Sequence, residues 1–124
     1  MRSVVLIRPG RSSHTESPPV GLGYLASALR REGYLPSIHD FTRGPEQVER
    51  RLQLRLREVP TLFVGLTAMT ATFPDACALV RRLRAKHSDG RLPIVLGGPH
   101  ATALPEAALH ESGADIAVLG DGDE

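Results

Sequence analysis

Short runs of Val, Ile and Leu alternate along the chain with longer stretches in which apolar residues recur every three or four positions. The short runs lack polar alternation, which is typical of strands buried on both faces of a parallel sheet. The longer stretches have the period of an amphipathic helix. The predicted strands are Ser3–Arg8, Leu35–His39, Leu62–Leu66, Ile94–Leu96 and Ile116–Leu119. The predicted helices are Gly21–Arg31, Pro45–Glu58, Pro74–His87 and Pro105–Glu111.

Proline and glycine mark the ends of these helices. Proline is favoured in a first helical turn, and glycine in the left-handed residue that follows a last turn. The residues at these positions are Pro45, Pro74 and Pro105, and Gly33, Gly90 and Gly113. Because a helix follows each of the first four strands, right-handed crossovers predict a parallel sheet covered on both faces. We therefore expect an α/β, flavodoxin-like (Rossmann-like) three-layer sandwich with a five-stranded parallel sheet in the order 2-1-3-4-5.

Three loops should meet at the carboxyl ends of strands one, three and four, where the strand order reverses and ligands bind in such sheets. They read PGRSSHTESPPVGLG (9–23), TAMTATFP (67–74) and GGPHATALP (97–105). The first is long for a connection between a strand and a helix, which is typical of a functional loop. In the second, the threonine hydroxyls can bond a polar ligand edge or cap the next helix. In the third, the two glycines let the backbone approach a ligand closely.

Composition narrows the classes of function. The 124 residues suffice for one domain. With 15 Lys and Arg against 14 Asp and Glu, the chain lacks the excess of positive charge expected of a general nucleic-acid binder. The basic clusters Arg50–Arg57 and Arg81–Lys86 alternate with apolar residues, and we interpret them as solvated helix faces. The one cysteine, Cys77, falls on an apolar helix stripe and is expected in the core. With no apolar run of membrane-spanning length and no leader, a cytoplasmic domain is expected.

Phosphate-binding motifs are missing or incomplete. There is no GxxxxGK[ST], and GLGYLA (21–26) lacks the third glycine of GxGxxG and begins in a helix. Asp40 ends the second strand without the acidic cluster expected of a response-regulator phosphorylation site. Tyr24, within the first helix, is expected to pack in the core or against its helix, with stacking on a ligand as the alternative.

Four segments carry a resemblance to a known family: PPVGLGYLASALRREGY, VGLTAMTATFPDACALVRRLRAKH, PIVLGGPHATALPEAAL and GDGDE. Together they resemble the cobalamin-binding domain that precedes the radical S-adenosylmethionine domain in cobalamin-dependent radical enzymes. The resemblance implies that residues 1–124 are a single cobalamin-binding domain, as a fragment or stand-alone version of a larger enzyme. It also implies that the iron–sulfur cluster and S-adenosylmethionine belong to a following domain, so the chain alone should be inert and its parent a methyltransferase.

The same resemblance implies a set of contact residues. Thr67-Ala68-Met69 resembles the Ser/Thr-x-hydrophobic motif of cobalamin domains, and Gly97-Gly98 resembles their glycine pair, with the 27 residues 70–96 between them. In that family both motifs line the slot that takes the nucleotide tail. The residues expected to bind the cofactor are Arg11, His14, Gly21, Thr67, Met69, Thr70, Thr72, Gly97, Gly98, Pro99 and His100.

The sequence departs from one branch of that family. Methionine-synthase-type domains carry DxHxxG, whose histidine binds cobalt, whereas SSHTES (12–17) has serine in place of both the aspartate and the glycine. Without a carboxylate to orient its ring, His14 is interpreted as a loop histidine, with cobalt ligation as the alternative. The radical-enzyme branch binds cobalamin with its base detached and no protein histidine on cobalt.

Two points stay open at this level. His100 either contacts the ligand or caps the surface of the rim. The domain either binds cobalamin for a radical S-adenosylmethionine domain in cis or in trans, or is a flavodoxin-like module for another flat ligand such as flavin or one that has lost corrinoid binding. Neither nucleic acid nor a membrane is expected as a partner.

Overall fold

Five parallel strands form one sheet in a computed structural model that describes residues 2–10, 20–87 and 92–119. The strands are β1 (Ser3–Arg8), β2 (Leu35–Asp40), β3 (Thr61–Thr67), β4 (Ile94–Gly97) and β5 (Ile116–Ala117). The helices are α1 (Val20–Arg31), α2 (Pro45–Glu58), α3 (Phe73–Lys86), α4 (Pro99–Ala103) and α5 (Pro105–Ser112), with 3₁₀ turns at Phe41–Arg43 and Thr70–Thr72.

The strand order is β2-β1-β3-β4-β5, and every neighbouring pair is parallel. This confirms the predicted fold class and order. The predicted helix ends at Gly33 and Gly113 are confirmed by left-handed φ angles of 88° and 77°. Gly90 lies outside the described residues. Sequence patterns missed α4 and both 3₁₀ turns, because segments of three to five residues are too short to show a helical period.

Two layers of apolar side chains pack on the sheet. On one face, Val5 and Ile7 of β1 join the buried stripes of α2 and α3, including Leu52 and Leu83. On the other face, Val4 and Leu6 pack against α1. The alternation along β1 sends successive side chains to opposite faces, so both layers share one central strand.

The α1 face becomes more exposed toward β5. Leu6, Gly65, Val95 and Ile116 are in register across four strands and therefore lie in one row on this face. Leu6 is fully buried beneath α1, whereas Ile116 is 51% exposed. The half of this face formed by β3, β4 and β5 is therefore the more open half in the described part of the chain.

Tyr24 corrects a sequence expectation. Its side chain is 68% exposed rather than packed in the core. Tyr24 lies two positions after the buried Leu22, so its side chain is rotated by about 200° around the helix axis and points away from the sheet. Tyr24 therefore lies on the exposed side of α1.

Candidate functional site

The carboxyl ends of β1, β3 and β4 meet at one edge of the sheet, as the predicted topology requires. Thr67, at the end of β3, lies directly opposite Gly97, at the end of β4. The loop that leaves β1 also reaches this edge, because a Cβ built on Gly10 would lie 3.2 Å from Thr72 Cγ2. Residues from all three loops are therefore adjacent at the rim.

A glycine-lined channel runs down the open half of the α1 face from this rim. We define the channel by the alternate positions of β3 and β4 on that face, which are Phe63, Gly65, Thr67, Val95 and Gly97. Gly65, in its middle, is buried, and the side chains of Leu6 and Phe63 fill the space beside it: a Cβ there would lie 3.2 Å from Leu6 Cδ2 and 3.7 Å from Phe63 Cε2. Glycine inside a strand is typical of a place where a ligand or another backbone approaches closely.

The two rim glycines have different surroundings. A Cβ on Gly97 would meet nothing nearer than the Val118 carbonyl oxygen, at 4.0 Å, so its missing side chain leaves open space in the channel. Gly98 has φ 98° and ψ −179°, a conformation that is essentially restricted to glycine. A Cβ on Gly98 would lie 2.7 Å from Thr67 Oγ1 and 2.8 Å from the backbone N and O of Ala68. The missing side chain of Gly97 therefore leaves space for a ligand, whereas that of Gly98 is required for the backbone to make this turn beside Thr67 and Ala68.

Backbone hydrogen bonds continue past the strand ends and tie two of the loops together. The Ala68 amide donates to the Gly97 carbonyl oxygen at 3.0 Å, and the His100 amide donates to the Ala68 carbonyl oxygen at 3.1 Å. Thr67 Oγ1 has no hydrogen-bond partner among the described residues and lies at the mouth of the channel. It is therefore a hydroxyl that a ligand could use.

The His100 ring points into the protein. Its side chain is buried, a hydrogen bond of 3.2 Å links its Nδ1 to Thr70 Oγ1, and its centroid lies 4.1 Å from that of Phe73. The expectation that His100 caps the surface is therefore wrong, because the turn at Gly98 directs the ring inward. Whether the ring also reaches a ligand stays a prediction.

The remaining predicted contacts divide between structural and exposed positions. Thr72 Oγ1 accepts a hydrogen bond from the Met69 amide at 3.1 Å, so Thr72 closes its own 3₁₀ turn and does not cap α3 with its side chain. Met69 is 61% exposed and Pro99 is also exposed, which places apolar surface at the rim. Gly21 is exposed on α1 with no atom within 4 Å of an added Cβ. Arg11 and His14 lie outside the described residues.

An ion pair that sequence reasoning missed joins the ends of β1 and β2. Arg8 donates from Nε to Asp40 Oδ1 at 3.0 Å and from Nη2 to Asp40 Oδ2 at 2.7 Å. Thr42 donates to the same carboxylate from its hydroxyl at 2.6 Å and from its amide at 3.1 Å. Burial raises the pKa of Asp40, but the bonds from Arg8 and Thr42 outweigh burial and lower that pKa overall. The sequence signal that could have predicted this ion pair is the presence of opposite charges, Arg8 and Asp40, at the ends of two strands predicted to be adjacent.

A shallow depression of about 370 Å³ lies elsewhere, lined by Phe41, Pro45, Glu46, Glu49 and Arg82. Phe41 belongs to the core of the α2 and α3 face, so this depression is on the opposite side of the sheet from the channel. Two of its three charged side chains are already paired with each other, because Arg82 Nη2 lies 2.7 Å from Glu49 Oε1. We therefore place the candidate site at the channel, not at this depression.

Two classes of feature are not found in the described segments. No group of three or more His, Cys, Asp and Glu residues in 2–10, 20–87 and 92–119 is placed to hold a metal ion. No described helix combines the length and apolar character needed to cross a membrane.

Comparison with known families identifies the domain. The model of the B12 binding domain matches residues 9–124. The chain belongs to the family of B12-binding domains. The cobalamin-binding family predicted from the sequence, and cobalamin as its cofactor, are thereby confirmed.

Relatives of this B12-binding domain are larger proteins. An uncharacterized methyltransferase of Pyrococcus horikoshii is 31% identical over 110 residues, which are 88% of this chain and 23% of that protein. The radical S-adenosylmethionine methyltransferase TsrM of Kitasatospora setae, solved with its tryptophan substrate and an S-adenosylmethionine analogue, superimposes with a TM-score of 0.85 at 22% identity, over 99% of this chain and 24% of TsrM. The chain therefore spans about a quarter of these two proteins.

A third similar structure is a cobalamin-binding protein of Desulfitobacterium hafniense, with a TM-score of 0.73 and 16% identity over 98% of this chain and 54% of that one. At such identities, TsrM and this protein establish the shared fold. TsrM has also been solved with cobalamin and a [4Fe-4S] cluster bound.

The residues of this B12-binding domain fit a cobalamin tail. A Cβ at Gly97 would enter the open space at the head of the channel, and the Thr67 hydroxyl at its mouth has no hydrogen-bond partner among the described residues. A slot lined by glycine backbone and apolar side chains suits a slender ligand segment that carries an aromatic base. The space beside Gly97 is therefore the place at the rim where the described residues leave room for a slender ligand segment.

Proposed function

We propose that this B12-binding domain holds cobalamin with its nucleotide base detached from cobalt and its tail in the channel. The observation that carries the proposal is the open space beside Gly97, at the rim where β3 and β4 end. A base that lies inside the channel is too far down the sheet face to remain on the metal. The corrin ring would then rest on the rim, over Met69 and Pro99.

Each residue of the channel has a separate part in binding. Gly97 admits the tail because it lacks a side chain, and Thr67 supplies a hydroxyl that can donate to or accept from a polar group of the tail. Phe63 and Val95 offer apolar surface for the detached base. When bound, cobalamin supplies a cobalt centre that accepts and hands over a methyl group.

We further propose that the domain serves a methyltransferase that uses radical S-adenosylmethionine chemistry, with that domain acting in cis or in trans. The similarity to the Pyrococcus methyltransferase and the superposition on TsrM support this proposal. The iron–sulfur cluster and S-adenosylmethionine would be bound outside residues 1–124. Such a domain binds and presents the cofactor, and it catalyses nothing alone.

Titration with hydroxocobalamin tests the binding mode. We expect saturable changes in visible absorption, and after reduction to Co(II) an electron paramagnetic resonance spectrum without nitrogen hyperfine splitting from the cofactor's own base. Splitting from that base would contradict the detached mode. Binding of flavin mononucleotide, followed by quenching of its fluorescence, without any cobalamin binding would instead favour the flavin alternative.

The partner is tested separately. Purified domain loaded with methylcobalamin should transfer no methyl group to an acceptor until a radical S-adenosylmethionine domain with its cluster is added or fused. Methyl transfer by the loaded domain alone would overturn this part of the proposal.

A further inference from the structure

His100 joins the two loops that form the rim between β3 and β4. Its amide donates to the Ala68 carbonyl oxygen, its Nδ1 is hydrogen-bonded to Thr70 Oγ1 at 3.2 Å, and its ring packs against Phe73 at 4.1 Å with an interplanar angle of 31°. His100, which follows β4, thus contacts two residues of the segment that connects β3 to α3 and the first residue of α3.

That connecting segment has little other support. Met69 is 61% exposed, Thr70 is exposed, and the 3₁₀ turn Thr70–Thr72 is a single turn. Short 3₁₀ turns have poor hydrogen-bond geometry and are stabilised mainly by their surroundings. The contact with His100 therefore fixes a turn whose other hydrogen bonds are mainly the three between Met69 and Thr72.

Packing alone does not require histidine at this position. A buried polar ring costs free energy unless its nitrogen atoms are hydrogen-bonded, and an apolar ring could fill the same space against Phe73. The Thr70 hydroxyl is the described group that bonds Nδ1. The pairing of these two side chains is thus the property that histidine adds.

We propose that His100 is a positioning residue for cobalamin binding. Its ring, seated on Phe73, holds Thr70 and so sets the shape of the rim on which the corrin ring rests. The proposal depends on the proposed function, because it assigns this contact to cofactor affinity. His100 acts through Thr70 and does not need to touch the cofactor.

A double-mutant cycle in the complete chain tests this coupling. His100→Phe keeps the ring and removes the bond, and Thr70→Val keeps the shape and removes the hydroxyl. We expect each to weaken hydroxocobalamin binding about fivefold to tenfold, with the double variant no weaker than either single variant. Thr70→Ser, which keeps the hydroxyl, should restore wild-type affinity, whereas a purely steric role would not distinguish it from Thr70→Val. His110→Phe, at an exposed position on α5, is the matched control and should bind normally.

The outcomes separate the two proposals. Additive losses in the double variant, or wild-type affinity in both single variants, would overturn the positioning role while leaving cobalamin binding intact. If His100→Phe fails to fold, Thr70→Val and Thr70→Ser complete the test, since Thr70 is exposed. If wild-type protein binds no cobalamin, the proposed function fails and the positioning role for that cofactor falls with it. The contact itself is then measured by amide hydrogen exchange at Thr72, which should be about tenfold faster in both variants.

Discussion

Thr67 Oγ1 lies 2.7 Å from the place that a Cβ of Gly98 would occupy. The turn after β4 therefore packs so closely against the end of β3 that a side chain at position 98 would collide with Thr67. Gly97, the preceding residue, has no such neighbour, and an added Cβ there would lie 4.0 Å from the nearest atom. A glycine pair that looks uniform in the sequence therefore contains one position that affects the ligand and one that affects the fold.

Gly97→Ala should weaken cobalamin binding without destabilising the protein. The added methyl group enters the channel, and alanine costs no backbone strain where φ is not positive. We expect the free energy of unfolding to stay within about 1 kcal/mol and the affinity for hydroxocobalamin to fall at least tenfold, about 1.4 kcal/mol. Thermal unfolding and absorption titration measure the two quantities. Cobinamide, which lacks the nucleotide tail, should bind both proteins equally, and an equal loss for both corrinoids would show that no tail passes Gly97.

Gly98→Ala should instead mainly reduce the stability of the ligand-free protein. Its left-handed φ and its contact with Thr67 and Ala68 predict a loss of about 1–3 kcal/mol in the free energy of unfolding without ligand. Any loss of affinity should then apply to cobinamide as well, since the whole rim shifts. Denaturant unfolding of the ligand-free protein is the decisive measurement. Wild-type stability in Gly98→Ala would mean that the close contact is relieved by a small backbone movement.

His14→Ala tests the cobalt-ligand alternative left open by the sequence. Because SSHTES has no carboxylate to orient the ring, we expect the spectrum of bound cobalamin to be unchanged and its affinity to stay within about tenfold, or 1.4 kcal/mol. Electron paramagnetic resonance of the Co(II) form provides the readout. A histidine nitrogen signal that is present in the wild-type protein and lost in the variant would place the domain with the methionine-synthase type.

The Arg8–Asp40 pair should make stability depend on pH in the acid range. The folded pKa of Asp40 is below its ordinary value of 3.8, so the stabilisation is fully present above that value and is lost as the pH falls through the lower folded pKa. Asp40→Asn should reduce the free energy of unfolding by about 1–2 kcal/mol at pH 7 and flatten the acid limb. Urea unfolding at several pH values below 5 checks this. An unchanged acid slope in Asp40→Asn would assign it to other carboxylates.

Cys77 should react slowly in the native protein. Burial is the main cause that raises the pKa of its thiol, and Glu111 adds to it against the opposing Arg81. Since the thiolate is the reactive form, a chromogenic disulfide reagent at pH 8 should modify native protein at least about tenfold more slowly than unfolded protein. Equal modification rates in native and unfolded protein would mean that the part of α3 around Cys77 opens readily.

The sequence by itself determined the elements and their order. Apolar runs without polar alternation, helical stripes such as Leu22 with Ala26, and glycines such as Gly33 and Gly113 all report local preferences, which act within a few residues. Right-handed crossovers then left few topologies, and the observed order is the expected one. The resemblance of the rim motifs to cobalamin domains gave the family.

The tertiary structure decided what each rim residue does. Gly97 and Gly98 are neighbours in sequence, but strand register directs one to the open channel while a positive φ presses the other against Thr67. The contacts of His100 with Thr70 and of Arg8 with Asp40 have the same origin. In each case, residues about thirty positions apart become neighbours because parallel strands end at the same edge of the sheet. Such contacts depend on register and backbone angles across the sheet, and no local pattern of apolar and polar residues encodes them.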